Sequence, residues 1–205
     1  MKVYFIRHGE TEYNKERRYQ GNRDIPLSEE GKKKLRQADF SPAIVYVSAL
    51  RRTSETASIL FPEAVLRIDP GLNEMRFGAF EGRTADEMAD DPAYRDWVAH
   101  DCETRCPGGE DKETFRKRVC AAVERVIAES IREDRQETVI LAHGGVIMAS
   151  LEVFGNPRRV FYDWLPGNGG GYVFEYDPGK PLNTLQLSRE LSYASDFVKM
   201  KIQFR

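Results

Sequence analysis

The sequence predicts an α/β protein, a three-layer α/β/α domain with a mostly parallel central sheet, an antiparallel edge and a helical insertion over the strand C-terminal ends. Short β-branched and aromatic runs alternate with amphipathic helical stretches, the pattern of parallel βαβ units. Three of these runs stop abruptly in polar clusters, as buried strands do where they deliver side chains to a ligand-binding edge. At 205 residues the chain exceeds the usual length of one domain but fits one α/β domain with a long insertion.

The first run is Val3-Tyr4-Phe5-Ile6, which ends in Arg7-His8-Gly9-Glu10. Ser28, followed by Glu29 and Glu30, has the character of an N-cap and starts a helix expected to run over residues 28–38. Residues 43–47 form the second strand and lead into Ser48-Ala49-Leu50-Arg51-Arg52, with a helix over 53–60. Charged and proline-containing residues from about 84 to 110 break the alternation and are expected to form a cap-like insertion. Residues 112–131 repeat apolar positions at helical spacing. Residues 138–142 form the third strand, ending in His143-Gly144-Gly145, where a helix opens. Residues 171–176 and 184–191 read as strands joined by the turn Asp177-Pro178-Gly179, an antiparallel hairpin at the sheet edge. No repeat or linker divides the chain, so residues 1–205 are expected to form a single domain.

Composition narrows the function. Lys and Arg number 31 against 33 Asp and Glu, a formal charge of −2, which gives no electrostatic support to a nucleic-acid or anionic-membrane binder while allowing a local basic pocket. The longest apolar runs are strand-sized and the N-terminus lacks a secretory leader, so a soluble, cytoplasmic protein is expected. Three cysteines make no disulfide framework. His100, Cys102 and Cys106 cluster, but without a fourth ligand at finger spacing they read as free thiols in a loop, with no metal site. Cys120 reads as a small buried apolar residue.

The chemistry is expected at the strand ends. Two of them carry histidine, His8 and His143, and two carry arginine, Arg7 and the Arg51-Arg52 pair. Imidazoles beside guanidiniums suit a dianionic phosphoryl group: arginine forks bind its oxygens, and an imidazole serves as nucleophile or donor. The glycine after each histidine permits close backbone approach, and a helix opening at Gly144-Gly145 aims N–H groups and the positive end of its dipole at an anion.

These segments resemble the histidine phosphatase superfamily, the phosphoglycerate mutase-like proteins. Arg7-His8-Gly9-Glu10-Thr11 with Asn14, then Gly21, Asp24, Pro26-Leu27-Ser28 and Gly31, is similar to the family's opening. Ser48-Ala49-Leu50-Arg51-Arg52 with Thr56-Ala57 resembles its second arginine segment, and Leu72-Asn73-Glu74 with Phe77-Gly78 and Glu81-Gly82 its acid segment. Pro107-Gly108-Gly109-Glu110 and Ala142-His143-Gly144-Gly145 match two further segments, and the likeness runs in order from Lys2 to about Leu151.

The resemblance implies that His8 is the nucleophile, forming a transient phosphohistidine. It implies that Arg7, Arg52 and His143 hold the equatorial oxygens and that Glu74 is the general acid, which at neutral pH needs a raised pKa. Arg52, four positions after Ser48, takes the family's arginine position, leaving Arg51 as a surface charge. Asn14, Gln20, Gly21 and Gly144 would contact the substrate; as turn and cap residues, Asn14 and the Gln20-Gly21 pair also have a purely structural reading. No metal or cofactor is required, and the partner implied is a small-molecule phosphate ester.

Where dedicated mutases of the family carry Arg, Tyr and Lys after the acid, this chain has Met75, Phe77 and Ala85, and its insertion is shorter. That favours a phosphatase over a mutase. The greatest resemblance is to small bacterial phosphatases of the α-ribazole phosphatase type, which act in assembly of the cobalamin lower ligand. A phosphate-binding regulatory module without turnover is the reading from a different class. Tyr94, Trp97 and His100 recur at three-residue spacing, either to pack the insertion onto the core or to offer a stacking surface to the leaving group. Trp164 and Asn168 are further candidates for that mouth.

Overall fold

The structure, a computed structural model, describes residues 1–195. Among the described residues seven strands form one sheet: β1 (Lys2–Arg7), β2 (Ile44–Val47), β3 (Val65–Ile68), β4 (Glu137–Ala142), β5 (Gly155–Asn156), β6 (Gly170–Glu175) and β7 (Leu185–Ser192). Their order is β3-β2-β4-β1-β6-β7-β5. The first four run parallel, β6 is antiparallel to both β1 and β7, and the short β5 pairs parallel with β7. The helices are α1 (Glu12–Lys15), α2 (Glu29–Lys34), α3 (Arg51–Leu60), α4 (Pro92–Ala99), α5 (Lys112–Arg132) and α6 (Gly144–Phe154).

Successive residues of a strand face opposite sides, and β1 uses both. Val3 and Phe5 join Ile140 of β4 and Phe174 of β6 in a core covered by α5 and α6 through Phe115, Val119, Val123 and Ile147. Tyr4 and Ile6 join Val45, Val139 and Leu141 in the opposite core, covered by α3 through Ala57 and Leu60. This is the expected α/β/α layering with an antiparallel edge. In the parallel pairing Arg7 lies opposite Ala142 and Val47 opposite Leu141, so β1, β2 and β4 end level with one another.

Some expected elements differ. The helix begun at Ser28, whose hydroxyl accepts from the Gly31 amide, stops at Lys34 rather than reaching residue 38. Leu35 leaves in extended conformation, bridges to Ala194 and buries its side chain beneath Gly9. Strand β3 has no counterpart among the expected elements: its Val65 and Ile68 are exposed on the sheet edge, with no buried run to mark it. Between 84 and 110 the regular structure is a 3₁₀ turn and α4, capped by Asp91. Residues 196–205 of the expected domain lie outside the described residues. Among the described residues no helix is long and apolar enough to cross a membrane.

Candidate active site

The level strand ends bring together what the sequence separates. The His8 amide donates to the Ala142 carbonyl at 3.0 Å, continuing the β1–β4 ladder one residue beyond the strand. This places the His8 and His143 rings edge to face, with centroids 5.2 Å apart. Arg52, in the first turn of α3, joins them from the β2 end, its Nε 3.2 Å from His143 Nδ1.

His8 is buried, and its Nδ1 lies 2.6 Å from the Gly9 carbonyl. A carbonyl only accepts, so Nδ1 carries the proton and Nε2 keeps its lone pair. Burial, reinforced by the Arg52 and Arg7 charges, holds the ring's pKa well below the usual histidine range. Arg7 donates Nη1 to the Pro166 carbonyl at 2.8 Å, while its buried Nε has no partner. Arg7 lines the cavity, and a guanidinium there is a donor suited to an anion. Arg52 is fully buried; burial lowers its pKa to about 10, which leaves it cationic at neutral pH. It donates Nη1 to Arg23 O and Nη2 to Gly21 O, both at 2.8 Å. Arg51, in contrast, is exposed beside Glu55, as expected of a surface charge.

His143 sits differently from the expectation. It does not line the cavity; it stands behind Arg52, whose Nε donates to its Nδ1 at 3.2 Å. Its Nε2 is 2.8 Å from the Ser48 hydroxyl and carries the ring's proton. Burial, then the Arg52 charge, keeps this ring neutral as well. The protein thus occupies both nitrogens, and His143 bonds to Arg52, which lines the cavity. The signal available in the sequence was Ser48 at the neighbouring strand end.

Asn14, Gln20, Gly21 and Gly144 all line the cavity. The Oδ1 of Asn14 accepts from the Thr11 amide at 3.1 Å, and Gln20 Oε1 lies 2.9 Å from the Thr11 hydroxyl. What each amide can offer a ligand is therefore its NH₂ group. Gly21 has φ +51, and a Cβ there would overlap the Glu81 carboxylate, which accepts from the Asn22 and Phe77 amides. Asn168 lies behind the His8 loop instead of at the mouth, donating Nδ2 to His8 O and Gly9 O, each at 3.3 Å. Trp164 is wholly buried against Tyr172 and Phe174, away from the cavity.

Glu74 also lines the cavity. Its Oε2 accepts from the Gly145 amide at the start of α6 at 3.0 Å, and its Oε1 from the Met75 amide at 2.9 Å. A Cβ on Gly145 would overlap this carboxylate, so the glycine admits it.

Beyond these groups the cavity, about 330 Å³, is walled by aromatic and apolar side chains. Tyr19 and Phe77 meet at 5.2 Å and Tyr19 and Trp97 at 5.9 Å, while Phe161 and Leu165 face in from another segment. Of the three residues spaced along the insertion, Trp97 both packs and lines the cavity. Tyr94 packs, its hydroxyl 2.9 Å from that of Tyr19, and His100 is exposed at the α4 C-terminus. Phe115, Met148 and Phe161 were not legible as lining residues, because their approach depends on how α5, α6 and a 3₁₀ turn pack. Cys102 is a free thiol in the cavity wall and Cys106 a buried one; burial raises both pKa values, that of Cys106 to about 12. Among the described residues, no group of three or more His, Cys, Asp or Glu could hold a metal ion.

The family model described as histidine phosphatase superfamily (branch 1) matches residues 3–187. The chain is 32% identical over 200 residues to the protein named probable phosphoglycerate mutase GpmB of Enterobacter sp. (strain 638), covering 85% of this chain and 91% of that one. Among solved structures, the alpha-ribazole phosphatase from Shigella flexneri is similar with a TM-score of 0.77 and 27% identity, over 97% of this chain and 100% of that one. A phosphoglycerate mutase from Thermus thermophilus is similar with a TM-score of 0.71 and 27% identity, over 94% of this chain and 99% of that one.

Proposed function

We infer that the chain, which belongs to the histidine phosphatase superfamily, is a phosphomonoesterase that hydrolyses a small cytoplasmic phosphate ester through a phosphohistidine. One observation carries this reading: a buried imidazole whose Nδ1–H is tied to a carbonyl, leaving Nε2 unprotonated on a ring that feels the charges of Arg7 and Arg52 and lines a cavity that also holds a carboxyl. In the first step Nε2 of His8 attacks phosphorus, the bond from phosphorus to the ester oxygen breaks, and that oxygen takes a proton from Glu74. In the second, the Glu74 carboxylate takes a proton from water. The water oxygen attacks phosphorus, the nitrogen–phosphorus bond breaks, and phosphate leaves with His8 restored. Arg7 and Arg52 face the phosphoryl oxygens, with the NH₂ groups of Asn14 and Gln20 beside them, and His143 fixes the Arg52 side chain. No step requires a metal.

The aromatic wall supports hydrolysis over mutase chemistry. A mutase must hold a second anionic group, and the two further cations lining this cavity are already paired: Arg18 with Glu87 at 2.7 Å, Lys112 with Glu103 at 2.9 Å. The wall suits an uncharged leaving group with a flat body, and α-ribazole phosphate is the first candidate. The purified protein should release phosphate from p-nitrophenyl phosphate in the presence of EDTA and form an acid-labile phosphoenzyme. Absence of both would leave a phosphate-binding module. A kcat/KM panel of α-ribazole phosphate, 3-phosphoglycerate and fructose phosphates ranks the substrates.

A further inference from the structure

We propose that Arg118, braced by Glu110, is the positioning residue of the general acid: it fixes the loop that carries Glu74 and itself touches no substrate. The proposal rests on the phosphatase reading above. Between Leu72 and Gly78 the chain has no helix or strand, so nothing in its own backbone ladder holds Glu74. Arg118 projects from α5, which is anchored in the core by Phe115, Val119 and Ala122. Its Nη1 donates to Gly71 O at 3.0 Å and Asn73 O at 2.9 Å, and its Nη2 to Glu74 O at 3.3 Å. Nε and Nη2 fork onto the two oxygens of Glu110 at 3.0 and 2.9 Å. A guanidinium has five N–H groups, and these five bonds use all of them, leaving none for a phosphoryl oxygen.

Glu110 grips the loop from the far side of Glu74. Its Oε2 accepts from the Arg76 amide at 3.0 Å, and its own amide donates to Arg76 O at 2.8 Å. Burial pushes its carboxyl up, but the bonds from Arg118 and the Arg76 amide outweigh burial and hold it ionised. The pair therefore fixes the backbone on both sides of the acid while leaving its carboxyl facing the cavity. A lysine, with three donors at a single nitrogen, cannot span these acceptors.

The test compares an alkyl phosphate, whose leaving oxygen needs a proton, with p-nitrophenyl phosphate, whose does not. The parameter kcat/KM reports transfer to His8, so the later base role of Glu74 does not enter. Glu74→Gln sets the reference, with an expected loss of about 100-fold for the alkyl ester and far less for the nitrophenyl ester. Arg118→Lys and Glu110→Gln should each show the same selectivity, about 10-fold against under about 3-fold, and add little to Glu74→Gln in the double variants. Equal losses on both esters, multiplying with Glu74→Gln, would mark a merely structural pair and overturn the proposal while leaving the phosphatase reading intact. If Glu74→Gln itself slows both esters alike, the acid assignment falls, and the proposal with it. Melting temperatures identify a variant that fails to fold, and the other then decides.

Discussion

His8 and Glu74 line the same cavity but are held there by different means. His8 is the next residue after a central strand, its amide completing a sheet ladder and its Nδ1 bonded to the adjacent carbonyl. Glu74 lies on a loop fastened by distant side chains and by close approach of a second loop at 106–110. An imidazole placed by backbone inherits the rigidity of the sheet. A carboxyl on a loop fastened by side chains can be displaced one residue at a time without touching the core.

The largest expected effect breaks the sheet-held side chemically. His8→Asn should remove phosphoenzyme formation and lower kcat by about 10⁴-fold or more, the order expected when a covalent nucleophile is deleted. Rapid-quench measurement of acid-labile phosphate checks this, and retention of a tenth of the activity would remove His8 from that role.

The loop-held side is sharpened by a glycine pair. Gly78 has φ +56, and a Cβ there would overlap the Pro107 carbonyl; Gly108 has φ +71 and open space around its Cβ position. Gly108→Ala should cost about 1 kcal/mol from backbone strain alone, and Gly78→Ala about 3 kcal/mol, with activity on alkyl phosphates falling as the loop shifts. Denaturant unfolding compares the two, and equal costs would show that the loops do not depend on their contact.

The smallest effect is the pH dependence of stability. Burial and neighbouring arginines hold both His8 and His143 below an unfolded pKa near 6.5. Between the folded and unfolded values the unfolded chain binds more protons, so stability is full above about pH 6.5 and declines as pH falls, by up to about 1.4 kcal/mol per pH unit for each ring. His143→Asn should flatten that decline. An unchanged slope would mean that this ring is not protected from protons.

The same contrast decides what was legible in the sequence. The ends of β1, β2 and β4 were visible because apolar runs break into Arg-His-Gly and His-Gly-Gly, a local signal. Arg118 bonds back to Gly71 and Glu74 across 47 and 44 positions, and no spacing within α5 announces that reach. His143 was legible at a strand end level with His8 but not as the partner of Arg52, since which nitrogen faces which neighbour follows from side-chain packing. Trp164 looked like a lining residue because aromatic character does not say which face of a turn it occupies. The helix expected over 28–38 ends at Lys34 because the pull of Leu35 into the core is a tertiary effect overriding local propensity.

Strand β3 ends the sheet with its outer backbone groups open and with Val65 and Ile68 uncovered, the kind of margin along which two molecules can zip together. It is only four residues long, and between its two apolar residues Arg67 is tethered to Glu129 and Glu133 of the adjoining helix end. An incoming strand would have to settle against a fixed charge after a very short run. That guard lies at the opposite margin of the sheet from the β6–β7 hairpin and blunts this one edge against strand addition.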